Sequence, residues 1–119
     1  MSSPLYTLDE TPPAAVVIMF RLGLDVDVES FNDITASLID AWPIKSGRHV
    51  IVDLSQSRYM GSVLLGLLIN IRSRTRAGGG KLIVVGASPR LIEVFRSANL
   101  DRLIELAPHR TDAVALLER

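Results

Sequence analysis

The chain has 119 residues, with 13 Lys plus Arg balancing 13 Asp plus Glu and no cysteine. That length fits one domain with an ordinary hydrophobic core. The balanced charge excludes the strong electrostatic field that marks a nucleic-acid or acidic-membrane binder, and it mildly favours a protein partner. Without cysteine there are no disulfides, thiolate metal sites or Cys nucleophiles, which suits the reducing cytoplasm. The start, MSSPLYTLDETPP, lacks a signal-peptide pattern. The longest apolar runs, residues 14–20 and 63–69, fall far short of the roughly 20 residues of a spanning helix. A soluble, cytoplasmic, single-domain protein without direct membrane insertion is expected.

In chain order, residues 1–13 are irregular, with Leu5, Tyr6 and Leu8 offering a short edge strand before Pro12 and Pro13. Residues 14–22 (AAVVIMFRL) form an apolar, β-branched run of strand length, covered on both faces. An acidic turn with Asp25, Asp27 and Glu29 follows Gly23. Phe31, Ile34, Leu38 and Trp42 then recur at helical spacing, with Asp27, Ser30 and Asn32 as alternative caps and Pro43 as the stop.

Residues 49–54 (HVIVDL) predict a second buried strand, followed by a turn and a brief extended step at Tyr59 and Met60. A helix is expected over residues 62–76, with arginines in its last turns and the three glycines 78–80 ending it. Residues 81–85 (KLIVV) predict a third strand. Ser88 followed by Pro89 starts the next helix, which closes near Asn99. Residues 103–106 predict a last short strand, and Thr111 or Asp112 the cap of a final amphipathic helix. Alternating strands and helices indicate an α/β layer domain with a substantially parallel sheet.

No nucleophile elbow, Walker loop or dinucleotide fingerprint occurs, and the two histidines, His49 and His109, share no ligand spacing. The glycine triplet lies after a helix and before a strand, on the wrong side for a phosphate cradle. Asp25 and Asp27 read either as paired carboxylates or as turn and cap residues. Ser62 is the main candidate. A serine at a helix start either caps it or receives a phosphate that the helix dipole favours, and the two roles are compatible. Val63, Leu64 and Leu65 offer an apolar patch to a partner. Gly66 inside the helix allows a partner, a neighbouring helix or the sheet to come close.

The stretch from residue 50 to 106 resembles the core of the STAS domain family, the bacterial anti-sigma factor antagonists. Its markers are residues 50–54, Tyr59, Met60, Ser62, Leu65, Gly66, residues 79–82, Ser88, Pro89, Val94, Phe95, Asn99 and Leu100. With a fainter N-terminal half, the resemblance spans residues 4–118. It implies one STAS domain over residues 1–119. The implied fold is a mixed, mainly parallel sheet of four to five strands flanked by about four helices, with no cofactor and no catalysis.

It further implies binding to an anti-sigma factor that is also a serine kinase, phosphorylation at Ser62 that ends the binding, and a phosphatase that resets it. Residues Asp25, Asp27, Met60, Gly61, Ser62, Val63, Leu64 and Gly66 would form the partner surface, with Asp27 matching the family's acidic position and Asp25 its near alternative. Nucleic acid is not expected as a partner, and a homodimer is compatible with the pattern. The sequence departs from the family at Gly61, where an aspartate is usual, and at Val63 and Leu64, where Ser or Thr and then Gly are usual. These departures favour a second reading: a scaffold without a phosphate switch, as in stress-signalling assemblies, or an accessory subunit of a lipid-transport ABC system.

Overall fold

A computed structural model describes residues 5–10, 12, 15–41, 48–59 and 61–118. Five strands form one sheet in the order β1-β2-β3-β4-β5: β1 (Tyr6–Asp9), β2 (Ala15–Phe20), β3 (His49–Asp53), β4 (Leu82–Val85) and β5 (Glu105–Ala107). β1 runs antiparallel to β2, and every other neighbouring pair is parallel. Four helices accompany it: α1 (Val28–Ala41), α2 (Ser62–Ala77), α3 (Pro89–Ser97) and α4 (Arg110–Leu117).

Parallel neighbours in sequence order need a helical crossover each time, and crossovers of one hand put all their helices on one face. The core follows that rule. Ile18, Phe20, Val50, Val52 and Val84 pack in one cluster with Phe31 and Ile34 of α1, Leu64 and Leu68 of α2, and Leu91 and Phe95 of α3. The alternate strand residues Val17, Ile51, Ile83 and Val85 face the other way and meet Ala113 of α4. The two-faced burial read from the apolar strands is therefore present, but one face has three helices and the other only α4.

Local chemistry explains most of the boundaries. Ser88 accepts a hydrogen bond from the Leu91 N–H (3.2 Å) with Pro89 behind it, as its sequence predicts. Of the three alternative caps for α1, Asp27 is used: its carboxylate accepts from the Ser30 N–H at 2.8 Å. The glycine triplet does two jobs. Gly79 takes a left-handed φ of 87°. Gly80 passes so close to Arg48 that a Cβ there would sit 2.8 Å from its carbonyl carbon.

Three expectations are corrected. The last strand is Glu105–Ala107, not 103–106, because left-handed Asn99 opens a 3₁₀ turn (Leu100–Arg102) whose Leu100 carbonyl takes the N–H groups of Leu103 and Ile104. The final helix starts at Arg110 with His109 as its N-cap; Asp112 is inside, accepting from the His109 N–H at 3.1 Å, and Thr111 is helical. Tyr59 does not resume a strand, since its N–H and that of Arg58 both donate to the Leu22 carbonyl (3.1 and 2.7 Å). Trp42, Pro43 and Met60 lie outside the described residues.

Candidate functional site

The candidate residues gather at the carboxyl ends of β2 and β3, the edge where open α/β sheets place their sites. Two segments build this edge: residues 21–27 leading into α1, and residues 54–61 leading into α2. Ser57 joins them. Its hydroxyl donates to the Phe20 carbonyl (2.6 Å) and accepts from the Leu22 N–H (3.1 Å). That bond pair was not foreseen from sequence, because its partners lie 35 and 37 residues away.

On the first segment Asp25 is exposed, while Asp27 is engaged as the α1 cap. Hydrogen bonds from Ser30, side chain first and then backbone, hold the Asp27 carboxyl below its ordinary range. Beside them Leu24 and Val28 stand out as apolar side chains about three-fifths exposed (63% and 60%). Paired general acid–base work would need one of the two aspartates to hold its proton near neutrality, and Asp27 is pushed the opposite way.

On the second segment the Tyr59 ring packs on Phe31, with centroids 4.8 Å apart, and folds over Gly61. A Cβ at residue 61 would lie 2.6 Å from the Tyr59 Cζ, so glycine there makes room for the ring. Gly61 is also the N-cap of α2. Ser62 is therefore the first helical residue and not the cap, which corrects the capping role expected of it. Its side chain is exposed, and among the described residues its hydroxyl has no hydrogen-bond partner. No capping side chain and no acidic residue closes this first turn; a backbone bond from the Leu64 N–H to the Gly61 carbonyl (3.2 Å) does.

The apolar step after Ser62 points mostly inward. Leu64 is fully buried and Leu65 nearly so, so neither forms the expected surface patch. Val63 is half-buried and packs against the core. Gly66 is exposed, and a Cβ there would meet nothing within 4 Å, so it serves no close approach of a neighbouring helix or the sheet. It lies instead in a shallow groove of about 260 Å³ between α1 and α2, with Asn32, Thr35, Val63 and Asn70.

A second polar centre escaped the sequence reading. Asp53, the last residue of β3, is buried, and its two carboxylate oxygens accept from the Ser55 N–H and the Arg110 Nε, both at 2.8 Å. Burial pushes its carboxyl up, but the bonds from Ser55 and the Arg110 guanidinium outweigh that and hold it below the usual range. The detectable signal was an aspartate ending an otherwise apolar strand; its partner, 57 residues on, was not detectable. The histidines are structural: His49 Nδ1 accepts from the Lys81 N–H (2.9 Å) and His109 caps α4. Among the described residues no group of His, Asp and Glu could hold a metal ion, and no helix is long and apolar enough to cross a membrane.

Comparison with known proteins places this architecture. The STAS domain family model matches residues 7–113. An anti-sigma-factor antagonist (STAS) domain protein from Planctomyces limnophilus superposes with a TM-score of 0.80 at 20% identity, covering 96% of this chain and 98% of that one. A variant of RsbS from Moorella thermoacetica gives 0.75 at 17% identity (95% and 94%). The Bacillus cell fate determinant SpoIIAA in its phosphorylated form gives 0.65 at 21% identity (94% and 98%). The five-stranded mixed sheet with four helices agrees with the family match over residues 7–113: the chain belongs to the STAS domain family.

Proposed function

We propose that this protein is a cytoplasmic anti-sigma factor antagonist, a single regulatory domain that acts by binding and not by catalysis. Its partner is an anti-sigma factor that is also a serine kinase, with a phosphatase as the resetting enzyme. The partner surface comprises the residue 21–28 segment, with Leu24, Asp25, Asp27 and Val28 at the start of α1, together with Gly61, Ser62, Val63 and Gly66 at the start of α2. Leu64, being buried, supports this surface from below.

The observation that carries the reading is the Ser62 hydroxyl: exposed, without a partner among the described residues, and on the first residue of a 16-residue helix. A phosphate there gains from the helix dipole and breaks no native hydrogen bond, while it opposes an acidic or apolar partner surface through charge and desolvation. Incubation with the cognate kinase and ATP, followed by mass spectrometry, is expected to place phosphate on Ser62. In binding assays, Ser62→Asp is expected to weaken the partner complex about tenfold or more, a 1.4 kcal/mol effect, with Ser62→Ala near wild type. Equal affinities for the two variants and an unmodified Ser62 would remove the switch.

One observation favours the second reading, a STAS scaffold or transporter accessory subunit without a phosphate switch. The place of the family's aspartate side chain at residue 61 is filled by the Tyr59 ring. If kinase treatment leaves Ser62 bare while the 21–28 loop and Gly66 still govern partner capture, the scaffold reading replaces the first.

A further inference from the structure

A cavity with polar and apolar walls together lies away from Ser62, between α3 and the β5–α4 junction. It has a volume of about 710 Å³ and opens at the carboxyl ends of β3, β4 and β5, where Asp53, Val85 and Ala107 stand. That volume falls in the range of small-molecule sites, and the strand ends are the usual place for one in a parallel sheet. Its apolar wall is Val85, Ala87, Ile92 and Leu106. Ala87, Ile92 and Leu106 are only half-buried, so the wall keeps apolar surface for a ligand to cover.

The charge of the cavity decides the ligand class. Asp53 lines it but has both oxygens engaged, one by the Ser55 N–H and one by Arg110 at 2.8 Å, so its charge is already balanced. Arg110 is in turn neutralised by Asp53. Arg96 of α3 also lines the cavity, is exposed, and has no ion-pair partner among the described residues. The balance is one unpaired guanidinium, with the His109 imidazole on the same lining, beside an aliphatic wall. We propose that this cavity binds a small organic monocarboxylate, its carboxylate on Arg96 and its alkyl body on Ile92, Ala87 and Leu106. This site is separate from the partner surface and does not rest on the antagonist reading.

The test is a ¹⁵N NMR titration of the full chain with butanoate, hexanoate and octanoate, and with 1-hexanol as the uncharged control. Saturable shifts are expected at Ala87, Ile92, Arg96 and Leu106, with affinity rising about fourfold per buried methylene. Hexanoate is expected to outbind 1-hexanol about tenfold, the weight of a hydrogen bond to a charged group. Arg96→Gln, at an exposed position that leaves the fold intact, is expected to erase that preference while 1-hexanol binding stays put. Shifts that do not saturate, that centre on other residues, that are equal for hexanoate and 1-hexanol, or that survive Arg96→Gln each overturn the proposal. A negative outcome leaves the Ser62 reading untouched, because neither Ser62 nor the residue 21–28 loop lines this cavity.

Discussion

Helices α2 and α3 both have a serine at their start, yet only one serine holds its helix. Ser88 is fixed as N-cap by Pro89, whose ring suits the first helical position, and its hydroxyl takes the Leu91 N–H. Ser62 has Gly61 before it, so the cap falls one residue earlier and the serine enters the helix with an unused hydroxyl. The other two starts resemble α3: Asp27 closes α1, and Asp112 and the Asp53–Arg110 pair tie down α4. The difference separates side chains spent on folding from one that is available for chemistry. In a domain of this size, a hydroxyl that carries no native bond can be modified with little cost to stability.

The comparison can be attacked at its strongest tie first. Asp53→Asn is expected to lose about 2 kcal/mol at neutral pH, since it removes the charge-assisted bond to Arg110. The sign with pH follows from the lowered carboxyl of Asp53. Its contribution is complete above the unfolded value of 3.8 and vanishes as pH falls through the lower folded value. Urea unfolding from neutral to strongly acidic pH is expected to show wild type and Asp53→Asn converging below that range. A gap that persists in acid would show that the pair's charge is not its contribution.

On the open side, Gly61→Ala is expected to cost about 1.5 kcal/mol, because the new Cβ displaces the Tyr59 ring from Phe31. The cost is expected to disappear in a Tyr59→Ala background, which a double-mutant cycle measures. The two serines come next. Ser88→Ala is expected to lose about 1 kcal/mol, and Ser62→Ala less than about 0.5 kcal/mol. Equal losses in thermal unfolding would erase the distinction. With the opposite sign, Gly66→Ala is expected to stabilise α2 by about 0.8 kcal/mol, since the added methyl meets no neighbour. If it also weakens partner capture, the groove between α1 and α2 is part of the contact.

Much of the fold was legible because it rests on local pattern. Runs such as KLIVV announce a two-faced strand, Ser88-Pro89 announces a helix start, and the markers from Val50 to Leu100 carry the family resemblance. The site was legible in position but not in register. Whether Ser62 or Gly61 is the cap turns on one residue, and the Tyr59 ring that lies over the glycine packs on Phe31, 28 residues earlier in the chain. Similarly, the three apolar residues after Ser62 look alike in sequence, while helix rotation buries Leu64 and leaves Val63 at the boundary. Ser57 and the Asp53–Arg110 pair depend on partners 35 to 57 residues distant, beyond any periodicity.

The unequal helix layers have a consequence for how the chain must be made. Three helices cover one face of the sheet from between its strands, whereas Val17, Ile51, Ile83 and Val85 are covered by α4, which follows every strand in the chain. During synthesis that apolar face stays wet until residues 110–117 have emerged, a window in which strand and face are open to wrong partners. The closing of that face thus rests on one short helix, held by Ala113 in the cluster and by the Asp53–Arg110 pair.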